Sequence, residues 1–100
     1  MSSIERALAA IRAGGFVIVV DDESRENEGD LITAAEHMTA ARMAFLLRHS
    51  SGIVCVALPE QRLRDLDLPL MVANNTDNHQ TAFTVSVDHQ ATTTGISAEE

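Results

Sequence analysis

The chain has 100 residues, 45% of them hydrophobic, and a formal net charge of −8 at pH 7. This length fits one small domain spanning residues 1–100, and the apolar fraction argues against a disordered chain. The negative charge argues against nucleic acids and anionic membranes as partners, because their phosphates would be repelled. The single cysteine, Cys55, cannot form an intrachain disulfide and fits a reducing, cytoplasmic location.

The first predicted element is a helix close to the first residue of the chain. Ser2 and Glu5 match a capping box, and the apolar residues that follow have helical spacing. Gly14 and Gly15 end this helix, since glycine is favoured just beyond a helix C-terminus. The continuous apolar run 16–20 then predicts a strand that is covered on both faces.

An acidic segment follows that strand, and its residues 21–30 contain six carboxylates and one arginine. Like charges this close repel one another, so we expect a cation, a cationic ligand or open water in front of them. In an extended segment Glu26, Glu28 and Asp30 would point to one face and surround a small volume. Carboxylates arranged in this way suit a hard cation such as magnesium or manganese, whereas the simpler alternative is an exposed acidic ridge.

Further strands and helices follow along the chain. They are predicted strands at 31–34, 53–58 and 83–87, and predicted helices after Thr39 and from Pro59 through Leu63. The segment 53–58 is continuously apolar, which predicts a buried strand, whereas 83–87 alternates as a half-buried strand does. The polar residues 73–81 predict a loop. Together these elements indicate an α/β, or α+β layered, fold in which helices pack around a mixed sheet.

The acidic segment resembles the signature of the 3,4-dihydroxy-2-butanone 4-phosphate synthase family. Further segments resemble later blocks of that family in the same order, namely 48–55, 68–76, and 83–87 together with 93–98. These blocks cover almost the whole chain. The resemblance implies that the chain is the N-terminal half of a single synthase domain, incomplete at its C-terminus. The family domain continues with a metal-binding histidine and with catalytic histidine and glutamate residues.

The family converts ribulose 5-phosphate into 3,4-dihydroxy-2-butanone 4-phosphate and formate. The resemblance therefore implies a lyase of riboflavin biosynthesis that uses magnesium or manganese, binds a sugar phosphate and acts as a homodimer with a shared active site. The implied residues are Glu28, Asp30 and Cys55 for catalysis, Arg25, Glu26, Asp30, Thr94 and Ser97 for substrate binding, and Glu26 for the metal. The guanidinium of Arg25 suits a phosphate because it can donate two parallel hydrogen bonds.

Each of these assignments has a simpler alternative. Arg25 and Glu26 could form a surface ion pair, and Cys55 could be an inert thiol in a buried strand. The segment that contains Thr94 and Ser97 is a weak motif without the resemblance. For the chain as a whole, the alternative is a truncated, non-catalytic half-domain that only binds a cation or dimerises.

Overall fold

The structure, a computed structural model, describes residues 1–74 and 81–100. Most of the loop predicted at 73–81 lies outside the described residues. Within them, the elements in chain order are α1 (Ser3–Arg12), β1 (Val17–Val20), β2 (Gly29–Ile32), a short 3-10 helix (Ala35–His37), α2 (Ala40–His49) and α3 (Glu60–Asp65). The predicted α/β class is confirmed. The chain divides into two compact units, Met1–Ile53 with Ile96–Glu100 and Val54–Gly95.

Helix α1 has the predicted signals at both ends. The Ser2 hydroxyl accepts a hydrogen bond from the Glu5 N–H at 3.1 Å, and the Glu5 carboxylate accepts one from the Ser2 N–H at 2.9 Å. At the other end, Gly14 has a φ of 85°, and the Gly15 N–H donates to the Ala10 carbonyl at 2.8 Å. This return bond is the Schellman closure that a left-handed glycine permits, so the helix stops here.

The two later helices begin at, or one residue from, their predicted starts. The Thr39 hydroxyl accepts a hydrogen bond from the Arg42 N–H at 3.2 Å, which caps α2. Helix α3 begins at Glu60, one residue later than predicted, because Pro59 is its N-cap and not its first helical residue. None of the described helices is long and apolar enough to cross a membrane.

Strands β1 and β2 form an antiparallel hairpin, in which Val17 pairs with Ile32 and Val20 pairs with Gly29. The prediction that the first strand is covered on both faces is wrong, because Ile18 and Val20 are 70% and 71% exposed. These two side chains share a face, since side chains alternate along a strand. The second strand was predicted at 31–34 and instead begins at Gly29, because its register is set by pairing with β1.

A small cluster of side chains joins α2 to the entry of the hairpin. The ring of Phe16, just before β1, stacks on the ring of Phe45 with centroids 5.2 Å apart. The Arg42 guanidinium lies 4.5 Å above the Phe16 ring and donates to the Thr33 hydroxyl at 2.8 Å. That hydroxyl donates in turn to the Gly15 carbonyl at 3.0 Å. The hairpin is therefore fixed at its open end, opposite the acidic loop.

In the second unit, two strand predictions are wrong. The segment 53–58 has no strand structure and Cys55 is exposed, although its β-branched residues favour an extended chain. A strand needs a neighbour for its backbone N–H and C=O groups, and no described segment pairs with this one. In 83–87 the only ladder contact among described residues is an isolated antiparallel bridge between Leu70 and Thr84. Thr84 is half-buried there, whereas the apolar Phe83 is exposed.

Candidate active-site loop

The carboxylate of Asp21 organises the loop between β1 and β2. Its Oδ1 accepts a hydrogen bond from the Glu28 N–H at 3.0 Å. Its Oδ2 accepts one from the Glu26 N–H at 2.9 Å and another from Nη1 of Arg25 at 3.0 Å. Asp21 thus contacts three of the residues that the sequence assigns to the site. The loop is held by an internal anion as well as by its strands.

Asp22 shapes the first half of the same loop. Its Oδ1 accepts a hydrogen bond from the Ser24 N–H at 2.8 Å, the local turn that aspartate favours. Its backbone carbonyl accepts from the N–H groups of Arg25 at 2.9 Å and Asn27 at 3.3 Å. Asn27 has a φ of 52°, a left-handed conformation that asparagine tolerates better than most residues. The turn over 23–26 therefore follows directly from the residue types.

Arg25 and Glu26 lie side by side as an ion pair. Nη1 of Arg25 is 3.0 Å from Oε1 of Glu26, and the two side chains are 54% and 35% exposed. The surface ion pair considered from the sequence is therefore present. An exposed pair of this kind contributes little to folding stability, so both groups are available to ligands of opposite charge.

The expected cluster of Glu26, Glu28 and Asp30 around one small volume does not form. Residues 23–26 make a turn, Asn27 reverses the backbone, and the chain becomes a strand only at Gly29. The two-residue alternation therefore does not extend back to Glu26. Across residues 1–74 and 81–100, no group of three or more His, Cys, Asp or Glu side chains is arranged to hold a metal ion.

The donors around the two aspartates also change their acidity. The N–H groups of Glu28 and then Glu26 hold the pKa of the Asp21 carboxyl below its ordinary value, because they stabilise the anion. The Ser24 N–H, followed by its hydroxyl, lowers the pKa of Asp22 in the same way. Both carboxyls are therefore anions at neutral pH, the form that accepts these hydrogen bonds.

The remaining predicted site residues lie elsewhere in the two units. Cys55 is a free, exposed thiol and Thr94 lines a shallow concavity of about 270 Å³, both in the second unit. Ser97 belongs to the first unit, where its Oγ lies 3.4 Å from a carboxylate oxygen of Glu100 and accepts the Glu100 N–H at 3.3 Å. The alternative of a buried, inert thiol at Cys55 does not hold, because the strand expected to bury it is not formed.

Asp21 is the residue whose role the sequence did not reveal. It was counted among the acidic residues, but no function was assigned to it. The available signal was its position, the first polar residue after an apolar strand and before a turn, where aspartate often accepts nearby backbone N–H groups. Bonds to residues five and seven positions further on depend on the loop conformation, which composition does not give.

The described residues could supply one ligand to a divalent cation. Glu26 offers carboxylate oxygens at a partly exposed position. Magnesium usually retains several waters and is bound by one or two carboxylates together with substrate phosphates. Such a site does not need a set of ligands supplied entirely by the protein, so one carboxylate is sufficient as the contribution of this loop.

Comparison with known proteins identifies the family. The family model for 3,4-dihydroxy-2-butanone 4-phosphate synthase matches residues 5–100. The chain is 54% identical over 101 residues to the enzyme of that name from Edwardsiella ictaluri, covering 100% of this chain and 46% of that protein. It is 58% identical over 98 residues to the Candida albicans enzyme, covering 97% of this chain and 48% of that protein.

The fold agrees with this sequence relationship. A crystal structure of 3,4-dihydroxy-2-butanone 4-phosphate synthase in complex with two magnesium ions matches with a TM-score of 0.90 at 53% identity, covering 100% of this chain and 47% of that one. The chain thus spans just under half the length of these three relatives. It belongs to the 3,4-dihydroxy-2-butanone 4-phosphate synthase family.

Proposed function

We propose that the full-length protein containing this chain converts ribulose 5-phosphate into 3,4-dihydroxy-2-butanone 4-phosphate and formate, a step of riboflavin biosynthesis. Family membership supports this activity. The structural observation that carries it is the pair Arg25 and Glu26, an anion-binding and a cation-binding group 3.0 Å apart on a loop that Asp21 holds in place. A sugar phosphate and a divalent cation together complement these two charges.

In this proposal Arg25 binds the phosphate of the substrate. Its Nη1 contacts Asp21 and Glu26, but a guanidinium carries five N–H donors in a planar fork. Arg25 can therefore turn its remaining donors to a phosphate while Asp21 keeps the side chain in place. Two parallel hydrogen bonds to an oxyanion are stronger and more directional than a single contact from a lysine.

Glu26 would hold a magnesium or manganese ion in the complete site. A solved relative 53% identical to this chain contains two magnesium ions, which supports a divalent cation here. When bound, the cation acts as a Lewis acid that stabilises the oxygen on which negative charge develops. Contact with the cation would draw the Glu26 carboxylate away from Arg25, which frees the guanidinium for the phosphate.

Glu28 and Asp30 would supply the carboxylates for proton transfer. Removal of a proton from the carbon beside the substrate carbonyl gives an enediol, and a positioned carboxylate can accept that proton. Both residues are exposed, so a substrate can reach them. Asp30 is fixed by its pairing with Val19 in the hairpin, and the Glu28 backbone is fixed by Asp21. We also assign Asp30 a contact with the substrate.

Supporting roles are proposed for three further residues. Cys55 would lie near the substrate without forming a covalent intermediate, and its exposed thiol is accessible for that contact. Thr94 and Ser97 would donate hydroxyl hydrogen bonds to the phosphate. Thr94 lines a shallow concavity together with Ser86 and Asp88, and it is family membership that supports its contact with a phosphate.

We further propose that the full-length protein is a cytoplasmic homodimer in which both subunits contribute to each active site. The large apolar side chains that the described residues leave exposed, such as Ile18 and Ile96, are available for contacts with other parts of the assembly. A single free cysteine fits a reducing compartment.

The activity is tested with the full-length protein by measuring formate release from ribulose 5-phosphate, with and without magnesium. We expect turnover that is lost in EDTA and restored by magnesium or manganese. Glu26→Gln should abolish it, whereas the matched control Glu23→Gln, an exposed carboxylate of the same turn, should not. Absence of formate from the folded wild-type protein would refute the proposal and favour a non-catalytic role.

A further inference from the structure

The Asp21 side chain is more enclosed than the Arg25 side chain that it contacts. Its side chain is 25% exposed, compared with 54% for Arg25. Both of its oxygens receive donors, Oδ1 from the Glu28 N–H and Oδ2 from the Glu26 N–H and from Arg25 Nη1. An anion whose two oxygens already accept hydrogen bonds from the protein is poorly placed to bind substrate itself.

The remaining contacts show that the tip of the loop depends on this carboxylate. Beyond the strands, the Asp21 N–H reaches the Glu28 carbonyl at 3.4 Å, a long bond that closes the hairpin weakly. The Asp22 carbonyl and carboxylate hold other N–H groups of the loop, those of Ser24, Arg25 and Asn27. The N–H groups of Glu26 and Glu28 are held by Asp21.

We propose that Asp21 is a positioning residue for the reaction. Its carboxylate fixes the Arg25 guanidinium and the backbone of Glu26 and Glu28 in the arrangement that binds phosphate and cation, and it neither contacts the substrate nor exchanges a proton with it. This inference rests on the function proposed above and adds a residue that acts through its neighbours.

The chemistry of the contacts predicts which substitutions are tolerated. An asparagine at position 21 has one acceptor oxygen, and its amide NH₂ would face donors that need an acceptor, so at least one contact is lost. At position 22 the donors to the carboxylate come from Ser24, its N–H on Oδ1 at 2.8 Å and its hydroxyl, and an asparagine oxygen can accept in place of the carboxylate. Asp21→Asn and Asp22→Asn remove the same charge from adjacent positions and form a matched pair.

The test compares these two variants in the full-length protein. Asp21→Asn should raise the KM for ribulose 5-phosphate and the magnesium concentration for half-maximal activity by roughly 10- to 100-fold, as loss of outer-sphere partners does. Asp22→Asn should stay close to wild type. The midpoints of the kcat–pH profile should not move in Asp21→Asn, because a positioning residue does not itself exchange a proton with the substrate.

Several outcomes would overturn the inference. Equal behaviour of the two variants would show that Asp21 has no special role, and loss of the acidic limb of the kcat–pH profile in Asp21→Asn would make Asp21 a proton acceptor.

If Asp21→Asn does not fold, NMR on the wild-type protein decides. Protection of the Glu26 and Glu28 amide protons from solvent exchange would support their bonds to Asp21, and exchange as fast as in a free peptide would refute them. An inactive wild type would instead refute the proposed function.

Discussion

Nη1 of Arg25 lies 3.0 Å from Oε1 of Glu26, so the two groups proposed for phosphate and cation neutralise each other in the free loop. Neither side chain is enclosed, and an exposed pair contributes at most about 1 kcal/mol to stability. The pair is therefore easily exchanged for stronger contacts with a phosphate and a divalent ion. This ion pair explains how the acidic loop keeps the Arg25 side chain in position, and still exposed, before a ligand binds.

Glu26→Gln in the full-length protein should abolish metal-dependent turnover and leave the fold intact. An amide keeps the size of the side chain but loses the charge that binds a hard cation. Since the side chain is partly exposed, the free energy of unfolding should change by no more than about 0.5 kcal/mol. Formate release with excess magnesium and a thermal unfolding curve measure both effects. Near-normal turnover would remove Glu26 from the metal site.

Arg25→Lys should raise the KM for ribulose 5-phosphate by roughly tenfold or more and lower kcat. Lysine keeps the charge but loses the planar fork, and one charge-assisted hydrogen bond contributes about 1.5–3 kcal/mol. Steady-state kinetics measure the change, with Arg6→Lys on α1 as the matched control on an exposed helix surface. If Arg25→Lys and Arg6→Lys are both indistinguishable from wild type, Arg25 is only a surface charge.

The acidic loop should lose stability in acid. Hydrogen bonds to the anion lower the pKa of both aspartates. The largest contribution comes from the Glu28 N–H for Asp21 and from the Ser24 N–H for Asp22. Such groups stabilise the fold above the ordinary carboxyl pKa, and the stabilisation is lost as the pH falls through the lowered pKa values. Carboxyl ¹³C titration by NMR should give both midpoints below that of a free aspartate. Unshifted midpoints would contradict the loop contacts.

The local signals in the sequence predicted the helices and the place of the acidic loop. Capping at Ser2 and Thr39 and the paired glycines after α1 act within one turn of chain, so they are readable without the fold. The strand predictions at 53–58 and 83–87 failed because a strand is completed by a partner that composition does not identify. The prediction that Glu26, Glu28 and Asp30 point to one face was wrong for a related reason. Side chains alternate between faces only in an extended chain, and residues 23–26 form a turn instead.

Gly95→Ala should destabilise the full-length protein more than Gly52→Ala does. Both glycines have positive φ angles, 69° at Gly95 and 92° at Gly52, so alanine is strained at either position. An added Cβ at Gly95 would also lie 2.6 Å from the Cβ of Asp88, whereas at Gly52 it would meet nothing within 4 Å. Overpacking of this kind costs about 1–3 kcal/mol. Urea unfolding of both variants measures the difference, and equal stabilities would refute the steric contact.

The 100-residue chain expressed alone should associate in solution. None of its described side chains is fully buried, and Ile18, Val20 and Ile53 are each at least 70% exposed. Burial of apolar surface is favourable, so such faces bind one another unless charge opposes it. The net charge of −8 does oppose it, but six of the carboxylates lie in the segment 21–30 and leave distant apolar faces uncovered.

Sedimentation velocity and near-UV circular dichroism test this expectation. Replacement of Ile18 and Val20 by lysine should reduce the association, and a monomeric wild-type chain with a cooperative unfolding transition would contradict it.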